Sequence, residues 1–172
     1  MSIETPEIDD CCEKEIYAFF GLAAYWAQIL EHSALNLAIV LNLPSAALTS
    51  QGIFDNLYDS LTRKTFGQLL KSNKGIVEIP EAEETYLGEA LELRNILIHH
   101  YFREHAENLV SEVGRREIKT ELQLIISKFK RADQILETIY APLWEKYGVT
   151  EEFISEQLEV LRIKAEARDK DT

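Results

Sequence analysis

The chain has 172 residues, 46% hydrophobic and 28% charged, with 7 glycines and 4 prolines. That length suits one domain, or one domain with an appendage, and that composition excludes collagen-like, disordered and disulfide-scaffold classes. Asp and Glu number 30 against 18 Lys and Arg, a net charge of −12, which excludes a general nucleic-acid coating protein.

The N-terminus is acidic, where a secretion signal needs a basic start followed by an apolar run. Cys11 and Cys12 are adjacent and cannot join distant elements, so the chain reads as cytoplasmic and reduced. Their acidic surroundings disfavour a reactive thiolate. The closest approach to a membrane span, Ile16 to Leu30, is 15 residues without a charge. About 20 are needed to cross a bilayer, so no membrane association is expected.

Helical periodicity runs throughout. Ile16, Phe20, Ala23, Ala27, Leu30, Ala34, Leu37 and Leu41 form one stripe on a long helix. Asp9 or Asp10 suits its start, and Leu43-Pro44 ends it, because a residue before proline avoids the helical region. The alanines in this stripe let another helix approach closely. A second helix starts near Thr49 or Ser50 and carries Ile53, Leu57 and Leu61. A short amphipathic piece, Thr65 to Leu70, follows and leads into turn chemistry at Ser72-Asn73-Lys74-Gly75.

Pro80 with Glu81, Glu83 and Glu84 marks the first turn of a third helix. Its apolar side is Tyr86, Ala90, Leu93, Leu97 and Tyr101. A fourth helix is expected after Gly114, with a stripe from Ile118 to Leu143 closed by Pro142 and Gly148. Thr150 caps a last helix bearing Ile154, Leu158 and Leu161, and the charged tail Ala165 to Thr172 is expected to fray. This last helix suits either packing on the bundle or exchange with a partner chain. No strand pattern competes. The expectation is an all-α, up-and-down antiparallel bundle of about four to six helices. It spans residues 1–148, followed by a C-terminal helix and tail over 149–172.

Residues 93–131 are the one basic segment, net +3, and hold 3 of the 4 histidines. Within it, Leu93-Arg94-Asn95-Ile96-Leu97-Ile98-His99-His100-Tyr101-Phe102-Arg103 sets polar groups inside an apolar helix. Such groups must find partners or do chemical work. At about 100° per residue, Glu92, Asn95, His99 and Arg103 share one polar stripe, while Arg94 lies about 140° from His99. Arg94 and His99 would then meet only through a distorted helix or across a two-fold axis with a second copy.

An imidazole and a guanidinium beside one phosphate suit cleavage of RNA by its own 2′-hydroxyl. The histidine moves protons near its own pKa. The arginine holds charge developing on phosphorus. Asn95 suits orienting His99 or holding a phosphate oxygen.

Arg94-Asn95-Ile96-Leu97-Ile98-His99 resembles the Arg-polar-x3-His signature of the HEPN superfamily of helical-bundle proteins. With His100-Tyr101 it is similar to the Arg-x4-His-x-Tyr form of HepT-type toxins. The resemblance implies a metal-independent endoribonuclease of a toxin–antitoxin or defence system. It implies a homodimer whose cleft brings the two motifs together, with RNA as substrate and a nucleotidyltransferase antitoxin as partner. Arg94, Asn95 and His99 would be catalytic, with His100 the alternative imidazole and Tyr101 the tyrosine that the antitoxin modifies. Several relatives have lost catalysis, so a non-catalytic interaction or regulatory module of a two-gene system stands as the alternative.

Plainer roles suit the same residues. Arg94 suits an ion pair with a carboxylate such as Glu89 or Glu92, or one on another helix. His99 suits a hydrogen-bonded core histidine, and Asn95 a buried amide. The basic run Arg115, Arg116, Lys119, Lys128, Lys130 and Arg131 suits a solvated face, or a guide for an RNA backbone. No metal or cofactor is expected. The residues three before His32, His99, His100 and His105 are Ile29, Ile96, Leu97 and Phe102, so no Glu-x-x-His occurs. No His-Glu-x-x-His and no Gly-rich phosphate loop is present either.

Overall fold

The computed structural model describes residues 13–73 and 75–170. Cys11, Cys12 and the proposed caps Asp9 and Asp10 lie outside the described residues. Among those described the chain is helical without a strand. The helices are α1 (Glu13–Asn42), α2 (Gln51–Leu61), α3 (Phe66–Asn73), α4 (Glu81–His99), α5 (Tyr101–Glu104), α6 (Ala106–Leu109), α7 (Glu112–Glu145) and α8 (Glu151–Lys170). A single 3₁₀ turn, Ala46–Leu48, follows α1.

The boundaries follow from local chemistry. α1 stops two residues before Pro44. The Ser50 hydroxyl accepts from the Ile53 amide and caps α2. Thr65 and Gln68 form a reciprocal capping box on α3: the Thr65 amide donates to Gln68 Oε1 at 2.9 Å, and the Gln68 amide donates to Thr65 Oγ1 at 3.4 Å. Gly75 turns the chain with φ +84°, a region open to glycine. Pro80 precedes α4, and its carbonyl accepts from the Glu83 and Glu84 amides. Thr150 caps α8 through the Phe153 amide at 3.2 Å.

Side-chain pairs fix the topology. Trp26 meets Lys130, Ser33 meets Asp133, and Pro44 meets Tyr147, so α1 and α7 run parallel. Tyr17 meets Phe102, Phe20 meets Tyr101, and Glu31 meets Arg94, so α4 with its extension runs opposite to α1. Glu89–Lys128 and Tyr101–Ile118 set it opposite to α7 as well. The core is therefore an up–down–up layer in which the first and third long helices lie parallel. Ala23, Ala27, Ala34 and Ala38 are buried on α1, and Ile118, Leu122, Ile126, Phe129, Ala132 and Leu136 are buried on α7. Small side chains on one helix facing large ones on the other allow close interdigitation. Phe66 and Leu69 of α3 join this core.

Four expectations change. The third helix does not run unbroken through Arg103. It leaves helical geometry at His100 (φ −133°, ψ −15°) and restarts as the single-turn helices α5 and α6. These bring the number of described helices to eight. Gly114 is not a boundary: α7 begins at Glu112, capped by the Ser111 hydroxyl 3.0 Å from the Gly114 amide. Pro142 does not close α7, which continues through Glu145. Proline there removes only one backbone N–H hydrogen bond, in the helix's final turns, where Thr138 four residues earlier is exposed. Finally, α8 remains helical through Lys170, with Arg162 bridging Glu159 and Glu166.

Candidate functional site

α4 positions the motif. Its buried residues Leu87, Ala90 and Leu97 fix its rotation against α1 and α7. Glu92, Asn95 and His99 are thereby exposed, and Arg103, now on α5, is exposed too. The polar stripe read from the sequence is therefore a solvent-facing surface, continued across the break at His100.

Arg94 turns the other way. Its guanidinium forms an ion pair with Glu31 of α1, and Nη1 donates to Asn95 Oδ1 at 3.2 Å. The Arg94 side chain is 21% exposed, and its buried Nε has no hydrogen-bond partner among the described residues. Arg94 is thus held at the α1–α4 seam by Glu31 and Asn95. The partner is on another helix and is neither Glu89 nor Glu92. Glu31 is the lone charged residue between Glu15 and Asp55. An isolated carboxylate within an apolar helix is the signal that announces such a partner.

His99 closes α4 with its ring 6.1 Å from that of His100, and both imidazoles are exposed. It makes no hydrogen bond among the described residues, so it is not a tied core histidine. Exposed Ile96 and Ile98 flank it. Within one chain Arg94 and His99 are not brought together, as the helical wheel requires. Asn95 orients Arg94 rather than His99.

Tyr101 is the largest fully buried side chain of the core. Its hydroxyl donates to the Ile118 carbonyl at 3.4 Å, and its ring lies 4.4 Å from that of His105. His105 in turn pairs with Glu121 at 3.2 Å. Here Tyr101 is a packing residue, with its hydroxyl out of a modifying enzyme's reach. Sequence reading missed the Tyr101–His105–Glu121 cluster, although the i, i+4 spacing of Tyr101 and His105 across α5 is its trace.

Burial, and then the nearby Glu121 carboxylate, push the Tyr101 hydroxyl well above the ordinary tyrosine range. A tyrosine whose folded pKa is raised loses its proton first in the unfolded chain. Stability is then fully present below about pH 10 and falls as pH rises further. Tyr101→Phe is expected to flatten that alkaline loss while changing neutral stability by about 1 kcal/mol or less. Urea unfolding at neutral and alkaline pH reads both effects.

Much of the basic run is engaged locally. Lys128 pairs with Glu89 and sits over the Tyr86 ring. Lys130 sits over Trp26, Arg116 pairs with Glu112, and Arg115 donates to the Leu109 carbonyl. An apolar groove of about 1010 Å³ lies between α3, the following loop and the first half of α4. It is lined by residues such as Leu70, Val77, Ile79, Leu87 and Leu91 and does not include Arg94 or His99. Among the described residues no cluster of His, Cys, Asp and Glu is arranged to hold a metal ion, and no helix is long and apolar enough to cross a membrane.

Compared with family models, with curated proteins and with solved structures, the chain matches none.

Proposed function

We propose that the protein is a metal-independent endoribonuclease of the HEPN type, acting in a toxin–antitoxin or defence setting as a cytoplasmic homodimer. The observation that carries the reading is the end of α4, which presents an unbonded, exposed His99 and, on another side of the same helix, an Arg94 held by Glu31 and Asn95. A second copy placed against this face by a two-fold axis would bring its own Arg94 toward His99, which one chain cannot do. Exposed Ile96 and Ile98 offer such a contact apolar surface.

In the reaction, the RNA 2′-hydroxyl attacks its own phosphorus and gives its proton to an imidazole. The 5′-oxygen leaves with a proton, and the products are a 2′,3′-cyclic phosphate and a 5′-hydroxyl. His99 moves the proton, with His100 the alternative imidazole. Arg94 holds the phosphorane charge, and Asn95 fixes Arg94 through its carbonyl oxygen. Glu92 and Arg103 border the cleft. A nucleotidyltransferase antitoxin fits this reading as partner, but buried Tyr101 takes no part in it.

The second reading, a non-catalytic interaction module, is favoured by one observation: the Arg94 charge is already matched by Glu31. Subunit mixing tests the shared site. Arg94→Ala and His99→Ala chains are each expected to be inactive alone. After exchange, half the dimers are mixed and keep one intact site of two, restoring about a quarter of wild-type cleavage. No restoration, with exchange verified and wild type active, would show that the site is not shared between copies.

A further inference from the structure

Every α8 side chain from Glu151 to Arg168 is exposed, including Phe153, Ile154, Leu158 and Leu161. The helix is nonetheless patterned. Ile154, Leu158, Leu161 and Ala165 recur at steps of four, three and four, the seam spacing of a two-stranded coiled coil. An isolated 20-residue helix is marginal in water, so this apolar seam calls for a partner.

The charges identify it. The first half of α8 carries Glu151, Glu152, Glu156 and Glu159 without a basic residue, whereas Arg162, Lys164, Arg168 and Lys170 outnumber Glu166 and Asp169 in the second. Parallel pairing of two such helices sets acid beside acid. Antiparallel pairing sets each acidic half beside a basic one and also opposes the helix dipoles. It is the arrangement that a perpendicular two-fold axis generates, with one surface serving both copies. The same register places Leu158 opposite the partner's Leu161, and Ile154 opposite the partner's Ala165.

We infer that α8 is an association helix that pairs antiparallel with α8 of a second copy of this chain. The pairing stands independently of the nuclease reading, since it uses no residue of the α4 face.

Disulfide trapping in the full chain tests it, with Cys11 and Cys12 changed to Ser. Residues 154 and 165 of one α8 are about 16 Å apart along its axis, too far for a bridge within the chain. Ile154→Cys with Ala165→Cys is expected to give about tenfold more covalent dimer on mild oxidation than either single variant. Equal trapping by Ile154→Cys alone would indicate a parallel pair and overturn the proposal. No trapping in the double variant, with the bundle's unfolding transition unchanged, would overturn it too. Leu158→Glu added to the double variant is expected to abolish trapping, and undiminished trapping would contradict the seam.

Discussion

Gly114→Ala is expected to destabilise the bundle by about 3 kcal/mol, lowering the melting temperature by about 6–12 °C for a chain of this size. Gly114 is buried in the first turn of α7. A Cβ there would meet the Asn108 carbonyl oxygen and Cα and come within 2.8 Å of its carbonyl carbon. These are backbone atoms and cannot rotate aside. Either α6 lifts from α7 or the Ser111 cap breaks, and the shift passes through α5 to Tyr101. Gly21→Ala is the contrast. Gly21 lies exposed within α1 with nothing within 4 Å of its added Cβ. There alanine is expected to stabilise by about 0.5–1 kcal/mol. Thermal melts of the two variants are expected to carry opposite signs, and a neutral Gly114→Ala would contradict the packing of α6 on α7.

The second large effect is on activity. Arg94→Ala is expected to lower kcat/KM for RNA by about 10²–10³, the scale for removing one preorganised charge partner from a phosphorane-like transition state. His99→Ala is expected to cost about 10²–10⁴ through loss of proton transfer. Arg94→Lys is not a rescue, because an ammonium lacks the fork that engages Glu31 and Asn95 together. Both variants retain the fold in circular dichroism if these residues act in the reaction rather than in the core.

The long helices were legible because α7 buries one continuous stripe and α1 does so through Leu30, with Phe19 rather than Phe20 inward, before its stretch from Ser33 to Val40 is buried on more than one face. Periodicity alone identifies that face, and the chain-end signals at Pro44, Ser50 and Thr150 act where they stand. The errors fell where tertiary packing overrides a local signal. Glycine suggested a start at Gly114, but its value there is room for Asn108. Proline suggested an end at Pro142, but a helix near its last turn tolerates it. The break at His100 carries neither residue. Beside it Tyr101 is buried against α7, and both Tyr101 and Phe102 pack on Phe20 of α1. At the site, the wheel separated Arg94 from His99 correctly. It left the partner of Arg94 undecided because that partner lies far away in sequence, on α1. The inward role of Tyr101 was half legible. Its place on the apolar stripe indicated burial, while the motif resemblance suggested an accessible hydroxyl.

The most direct measurement is cleavage of a defined RNA by the purified wild-type protein in EDTA, beside the same oligonucleotide with 2′-deoxy residues. The RNA alone is expected to be cleaved, to products ending in a 2′,3′-cyclic phosphate, with cleavage lost in folded Arg94→Ala and His99→Ala. An RNA left intact across several sequences, or cut only when a divalent metal is restored, would contradict the proposed function.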